Sequence, residues 1–396
     1  MESAAGVLHV DGVAAGTVVT PRSTEEVAAA LREAAAERRS VVVQGGGTKQ
    51  TWGLPPRSAD VLLDLSRMDQ VVEHAAGDLI VTAQAGTPLA ALQAHVAQAG
   101  QRLLVDETVP GSTVGGVLAT NASGPHRLVT GAVRDLLIGV RFVRADGVVA
   151  RAGGKVVKNV AGYDVGKLLV GSHGTLAVVT EATFRLHPVP PARRWLTTPV
   201  ASPAEAHRLV QAVLQAQVVP AALDVSFPEG TLTLLLEGRA DGVDARAEAA
   251  LGLLPGAVVA EKAPIEWGAY PWDVTAAGDD RAVALKLTFR LSALAEVLAE
   301  VPVGADGLAV RGSAGAGVLY AAMPGGDLAA VAATLDRLRA VCGASGGSVV
   351  VLDAPAAIKR AVDVWGPISA LDLMRRVKNE FDPDHRLAPG RFVGGI

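Results

Sequence analysis

The stretch over residues 156–188, VVKNVAGYDVGKLLVGSHGTLAVVTEATFRLHP, constrains this chain more than any other. Gly162, Gly171 and Gly174 sit where the chain changes direction, and a missing Cβ there lets backbone approach a flat or anionic ligand. Leu168, Leu169 and Val170 predict a short helix, and Val179, Ala182, Phe184 and Leu186 predict a strand after the GSHGT turn. Two earlier loops share this character. The first, QGGGTKQ over residues 44–50, follows a short buried strand from Ser40 to Val43. Gly45, Gly46 and Gly47, followed by Thr48, either expose backbone amides as an anion nest or form a flexible turn. The second is DETVPGSTVGGVLATNASGPHR. Pro110 and Gly111 set a turn, Ser112 and Thr113 are placed to cap the helix that follows, and Gly115 and Gly116 keep its first turn bare. Free N–H groups at that helix start favour an anion; a capped small-residue helix is the alternative.

At 396 residues the chain is too long for one ordinary domain. Apolar residues are 50% and aromatic ones only 4%, so the core is built mainly from Val, Leu and Ala. The net charge of -4 is spread along the chain, with no basic run or aromatic-interleaved patch for nucleic acid. The first basic side chain is Arg22, and no stretch reaches the roughly 18 apolar residues of a membrane span. The expectation is an untargeted cytoplasmic protein, with any contact to the inner face of a membrane made through partners. A single cysteine, Cys342, excludes an internal disulfide, and no CxxC spacing is present for zinc or an iron–sulfur cluster.

Further elements follow from capping and periodicity. PRSTEEVAAALREAAAERR predicts a helix with Ser23 as cap and Glu26 answering it. Residues 60–65, 71–73 and 79–84 read as strands, and 88–100 as a helix burying Leu89, Leu92 and Val96. HPVPPARRW marks a domain boundary. Beyond it, strand 195–199, helix 203–217, a hairpin of 222–227 and 231–237, and helix 243–254 are followed by the same order: strand 282–290, helix 292–300, strands 307–312 and 317–323, helix 327–342 and strand 348–352. Strand, helix, two strands, helix, given twice, predicts ferredoxin-like units with helices on one face of an antiparallel sheet.

KNVAGYD followed by GS-x-G-x-L and a TE pair resembles the late FAD-binding stretch of the vanillyl-alcohol-oxidase / p-cresol-methylhydroxylase (PCMH-type) flavoproteins. Within the branch containing D-lactate dehydrogenase and glycolate oxidase, it most resembles the smaller FAD-binding subunit of bacterial glycolate oxidase. The resemblance covers the first half of the chain and the closing LMRRVKNEFDPDHRLAPGRF, where Ala388 replaces the usual asparagine. It implies an α+β fold: a two-subdomain FAD-binding domain over residues 1–192, a ferredoxin-like cap over 193–374, and a segment 375–396 packing back on the FAD domain. It places Gly45, Gly46, Gly47 and Thr48 along the pyrophosphate, and Pro110, Ser112, Thr113, Gly116, Asn121 and Gly124 along the ribityl chain and ring. Gly174, Leu176 and Val179 match positions at the adenine side or flavin edge. No GxGxxG follows a strand and no GxxxxGK[ST] occurs, so nicotinamide and ATP readings fall.

The flavin-linking histidine that some family members carry beside the first loop is absent, so FAD is expected to be non-covalent, with His95 and His126 as the reservations. Relatives that oxidise D-lactate or glycolate supply metal-binding histidines and a Gly-Glu-His-Gly segment from the cap. Here residues 343–355 read GASGGSVVVLDAP and the cap holds only His207, so such a metal site is not expected. His126, Arg127 and His173 are candidates for an acid–base or binding role, or are ordinary loop residues; Arg134 and Lys158 share the ambiguity, and Tyr163 and Asp164 either fix their loop or touch substrate. Trp267 and Trp272 in EWGAYPWD are either interface anchors or packing. The resulting expectation is an FAD-binding subunit of a glycolate oxidase complex that supports or relays electrons, beside a larger flavin subunit and an iron–sulfur subunit. The alternatives are a self-sufficient FAD-dependent dehydrogenase of a small hydroxy acid, and a structural flavin-binding subunit.

Overall fold

The structure is a computed structural model that describes residues 8–155, 163–301 and 307–396. Lys158 and Gly162 lie outside the described residues. The chain packs into two units, one formed by Met1–Ala122, Ala132–Pro188 and Pro367–Ile396, the other by Ser123–Gly131 and Val189–Gly366.

The first unit holds two main sheets. In one, Val13–Val19 and Val41–Gln44 flank Ala59–Asp64 in parallel, and His9–Val10 adds an antiparallel edge. The other is antiparallel, ordered Val71–Ala75, Ile80–Gln84, Ala177–Arg185, Leu137–Arg144 and Val149–Gly153. The helix Thr24–Ala36 buries Val27, Ala28 and Leu31 in a core shared with Val61, Leu63, Val143 and Val178. Ser23 accepts from the Glu26 N–H, but the Glu26 carboxylate accepts from the N–H of Arg22 rather than that of Ser23. The helix Leu89–Ala97 buries Leu89, Leu92 and Val96, as their spacing predicts.

The apolar positions Val179, Ala182, Phe184 and Leu186 skip a place after Val179. A register shift between Val179 and Glu181 absorbs the extra residue, so the strand Ala177–Arg185 keeps its core face.

The second unit is one antiparallel sheet ordered Val258–Ala260, Ala192–Pro199, Thr231–Gly238, Ala222–Phe227, Ala309–Ser313, Val318–Met323, Val283–Thr288, Ser348–Asp353. Each half repeats the ferredoxin-like order of fourth, first, third and second strand. The halves join where Ala222–Phe227 pairs with Ala309–Ser313. Helices Pro203–Gln215 and Leu328–Ala344 are capped by Ser202 and Asp327. Cys342 is buried on the latter, and burial pushes its thiol up to about 11. His207 is half-buried on the former. Trp267 meets Trp195 edge-on with centroids 6.4 Å apart, while Trp272 stacks on Tyr270 at 4.4 Å, so both tryptophans pack within this unit.

Candidate functional site

The site lies in the first unit, where the glycine loop leaves the strand Val41–Gln44. A Cβ on Gly45 would stand 2.2 Å from Thr113 Oγ1, and one on Gly46 would stand 2.2 Å from the Gly111 carbonyl oxygen. The two loops therefore close on each other with no room for a side chain between them. The N–H groups of Gly45, Gly46, Gly47, Thr48 and Lys49 donate to no other described residue. Successive unanswered donors in one turn form a nest for an anion.

The helix Val114–Thr120 corrects a sequence expectation. Its first amides are not bare: Val114 N–H donates to Thr87 O at 3.0 Å and Gly115 N–H to Ala85 O at 2.7 Å. Gly116 N–H reaches Thr113 Oγ1 at 3.3 Å. A Cβ on Gly115 would meet Ala85 Cβ at 2.9 Å, so this glycine serves close packing. Anion-binding capacity resides in the glycine loop and not in the helix start.

Two adjoining clefts share Val43, Gly45, Thr113, Gly116, Ala119 and His173. One continues over residues 46–50 to Thr120 and Arg391, and carries the polar side chains of Thr48, Lys49, Gln50 and Arg391. The other runs past Gly115, Leu169, Ser172 and Gly174 to Val178 and Val179, and is largely apolar. Together the clefts offer charged and hydroxyl groups at one end and aliphatic side chains at the other, which suits a ligand with a charged and an apolar part.

At the polar end Lys49 is buried and donates to Ser112 Oγ and Thr48 Oγ1. Burial pulls its pKa down to about 8, opposed in part by the Glu107 carboxylate. Arg391 closes the same end, donating to Gln50 Oε1 at 2.9 Å and to Trp52 O at 3.0 Å. Sequence reasoning passed over both residues. Lys49 looks like any solvent-facing loop lysine, and Arg391 reaches this loop only through the fold.

The GSHGT turn is anchored to the end of the same helix. Gly171 N–H donates to Leu118 O at 2.8 Å and His173 N–H to Ala119 O at 2.9 Å. His173 adopts φ +53°, and its ring lies 5.8 Å from that of Phe392 while lining both clefts. Asn121 ends the helix at φ +50°, and its buried Oδ1 has no hydrogen-bond partner among the described residues.

Other predicted residues stand farther back. Pro110 and Gly111 are exposed on the second loop, and Ser112 braces Lys49 from behind the cleft. Leu176 packs with Val140, Phe142, Leu169 and Ala177. His95 sits beside His74, ring centroids 5.3 Å apart, and lines neither cleft. Tyr163 is 95% exposed, Asp164 and Arg134 are exposed, and the Arg134 carbonyl accepts from Lys167.

Gly124, His126 and Arg127 belong to the second unit. There His126 Nε2 is 3.6 Å from Glu237 Oε1, and Arg127 donates to Ser123 Oγ at 2.8 Å.

The orphaned groups of this site match those of FAD. A pyrophosphate supplies acceptors for the glycine-loop amides, and an isoalloxazine–ribityl body supplies donors for Asn121 Oδ1; the residues fit. Residues 15–153 match the family described as FAD binding domain. The chain therefore carries an FAD-binding domain, and FAD is its cofactor.

In sequence it is similar to glycolate oxidase subunits. It is 32% identical over 235 residues to glycolate oxidase subunit GlcD of Bacillus subtilis, covering 59% of this chain and 50% of that protein. It is 38% identical over 154 residues to glycolate oxidase subunit GlcE of Escherichia coli, covering 38% and 43%. It is 37% identical over 171 residues to D-lactate dehydrogenase of Archaeoglobus fulgidus, covering 43% and 38%. The chain thus spans half or less of these curated relatives. Among solved structures, alkyldihydroxyacetonephosphate synthase shares the fold, with a TM-score of 0.68 at 18% identity over 95% of this chain and 77% of the other. No helix of the described residues is long and apolar enough to cross a membrane.

Proposed function

We propose that this chain is the FAD-binding subunit of a glycolate oxidase-like, FAD-dependent 2-hydroxy-acid dehydrogenase complex, supporting or relaying electrons from the acid. A larger flavin subunit oxidises the acid and an iron–sulfur subunit carries electrons onward. The first unit is the flavin domain and the second its cap. The observation that carries the reading is the run of five amides, at Gly45, Gly46, Gly47, Thr48 and Lys49, that meet no acceptor among the described residues, in a chain similar to both GlcD and GlcE.

Bound FAD supplies a centre that accepts electrons in pairs and releases them singly. The glycine-loop amides hold the pyrophosphate, and the Lys49 ammonium adds positive charge beside them. Thr113, Gly116 and Asn121 flank the ribityl chain and ring, while Gly174 and Val179 bound the adenine side or flavin edge. The apolar cleft keeps water from that edge. FAD is held non-covalently, and acid precipitation is expected to leave the colour in the supernatant.

A second reading, a self-sufficient dehydrogenase, has one observation in its favour: His173 lines both clefts and is placed to exchange a proton there. Anaerobic mixing of the purified, flavin-loaded chain with glycolate and D-lactate separates the two. A flavin that stays oxidised until the larger subunit is added supports the relay. Bleaching by the chain alone, lost in His173→Ala, establishes the second reading. Protein that binds no FAD overturns both.

A further inference from the structure

One face of the sheet in the second unit carries two neighbouring cross-strand rows of polar side chains. Register partners run Thr197, Thr233, Asp224, Ser313 along one row and Thr231, Ser226, Arg311 along the other. Partners across a ladder, and residues two apart on a strand, share a face, so both rows and Trp195 point to the same side. A cavity stands over them. It is lined by Thr197, Thr233, Asp224, Ser226 and Glu229, and by the loop of residues 264–268 that carries Trp267.

The groups around this cavity do not satisfy one another. Its described lining holds the carboxylates of Asp224, Glu229 and Glu266 against the guanidinium of Arg311, which is already paired with Glu266 and donates to Ser226 Oγ at 3.3 Å. Two donors on the same face are orphaned. Trp195 is 7% exposed and Ser313 3%, yet Trp195 Nε1 and Ser313 Oγ have no hydrogen-bond partner among the described residues. Each adjoins the lining, Trp195 through its edge-on contact with Trp267 at 6.4 Å and Ser313 as the register partner of Asp224. A buried polar group left in this state costs stability until a ligand or water answers it.

These groups narrow the class of ligand. An anion is opposed by the excess of carboxylates. An organic cation brings only donors, which suit the carboxylates and leave the indole N–H of Trp195 unanswered. A metal ion needs ligands that converge, and no group of three or more His, Cys, Asp or Glu among the described residues is placed to hold one. An alcohol hydroxyl both donates and accepts, so several on one carbon skeleton answer the carboxylates, the threonine hydroxyls and the orphaned donors together. The C–H face of such a skeleton packs on an indole ring.

We infer that this cavity is a binding site for a neutral polyhydroxy compound, a sugar or sugar alcohol, held between the polar rows and Trp267. The site does not depend on the 2-hydroxy-acid reading above.

The test is a saturation-transfer NMR titration of the FAD-loaded full chain with sorbitol. Bound flavin keeps the ribityl position filled, and flavin content is measured in every sample, so a polyol entering the cofactor site is recognised as such. The expected result is saturable sorbitol binding that weakens roughly tenfold in Trp267→Leu, which removes the aromatic wall, and severalfold in Trp195→Phe, which removes only the orphaned donor and its ring edge. Trp195→Phe also separates binding from folding: with no ligand present its melting temperature is expected to equal or exceed that of the natural chain, because a buried unanswered N–H has gone. Absence of saturable binding, or sorbitol affinity unchanged in both variants, overturns the site. Putrescine binding more tightly than sorbitol, with the same loss in Trp267→Leu, overturns the assignment to a polyol in favour of an organic cation.

Discussion

Lys378 and Asp382 form an ion pair that is fully buried at both ends, the ammonium nitrogen 2.7 Å from the carboxylate oxygen. Lys378 also donates to Thr175 O at 2.7 Å and Leu387 O at 3.1 Å, while Asp382 accepts from the N–H groups of Arg386 and Leu387. One pair therefore ties the helix Leu371–Phe381 to the loop after it and to the end of the GSHGT turn. Removing one partner leaves an uncompensated buried charge, which costs about 3–5 kcal/mol. Asp382→Asn is expected to lower the midpoint of the first unit's urea transition accordingly. A midpoint unchanged from the natural chain would show the pair to be dispensable.

Gly46→Ala and Gly174→Ala separate two uses of glycine. At Gly46 a Cβ would stand 2.2 Å from backbone oxygen, so the loops must part. Gly174 has φ +72° with nothing within 4 Å, so alanine there brings conformational strain of about 1–2 kcal/mol and no clash. Gly46→Ala is expected to lose FAD affinity at least tenfold, measured by flavin fluorescence titration, while Gly174→Ala loses stability and retains most affinity.

FAD affinity is expected to depend on pH through Lys49. Its pKa in the folded chain is about 8, below the ordinary 10.5. An anion favours the ammonium, so binding takes up a proton above pH 8, and affinity is expected to fall as pH rises through that value. In the ligand-free fold the sign is opposite: burying the ammonium costs most below pH 8, and this cost is relieved as pH rises toward 10.5. Lys49→Gln should bind FAD more weakly and without the step near pH 8. A step that persists in this variant would assign it to another group.

Cys342 is buried and its thiol is pushed up to about 11, so it is expected to resist a maleimide at pH 8 until the second unit unfolds. Stoichiometric labelling of the native chain would contradict this placement.

Ala388 adopts φ +41° and donates its N–H to Val41 O at 2.8 Å. Asparagine, the residue the family resemblance leads one to expect there, is a type that tolerates left-handed backbone. Ala388→Asn is therefore expected to raise thermal stability slightly.

The glycine run, the capped helices and the repeated strand–helix order were legible because each depends on neighbours in sequence. Gly45, Gly46 and Gly47 announce an open turn, Ser23 announces a helix start, and two periodic blocks after residue 190 announce two like units. The strands Val13–Val19, Leu137–Arg144 and Val149–Gly153 were not among the expected elements. Gly16 shows one reason: a Cβ there would meet Asp60 O at 2.5 Å, so this strand depends on a parallel neighbour distant in sequence. The amides of Gly115 and Gly116 seemed free because Ala85, which takes one of them, is thirty residues away.

The sequence by itself determined which segments turn, which bury a face and which loops lack side chains, since backbone freedom, capping and periodicity are local properties. Only the tertiary structure decided which donors stay unanswered, which lysines lose their water and which cations lack a carboxylate. Those outcomes depend on desolvation and on the partners that folding brings within hydrogen-bond reach. Lys49, Lys286 and Lys378 look alike as letters. The fold gives the side chain of the first hydroxyl partners beside an open nest, that of the second no hydrogen-bond partner among the described residues, and that of the third a buried carboxylate.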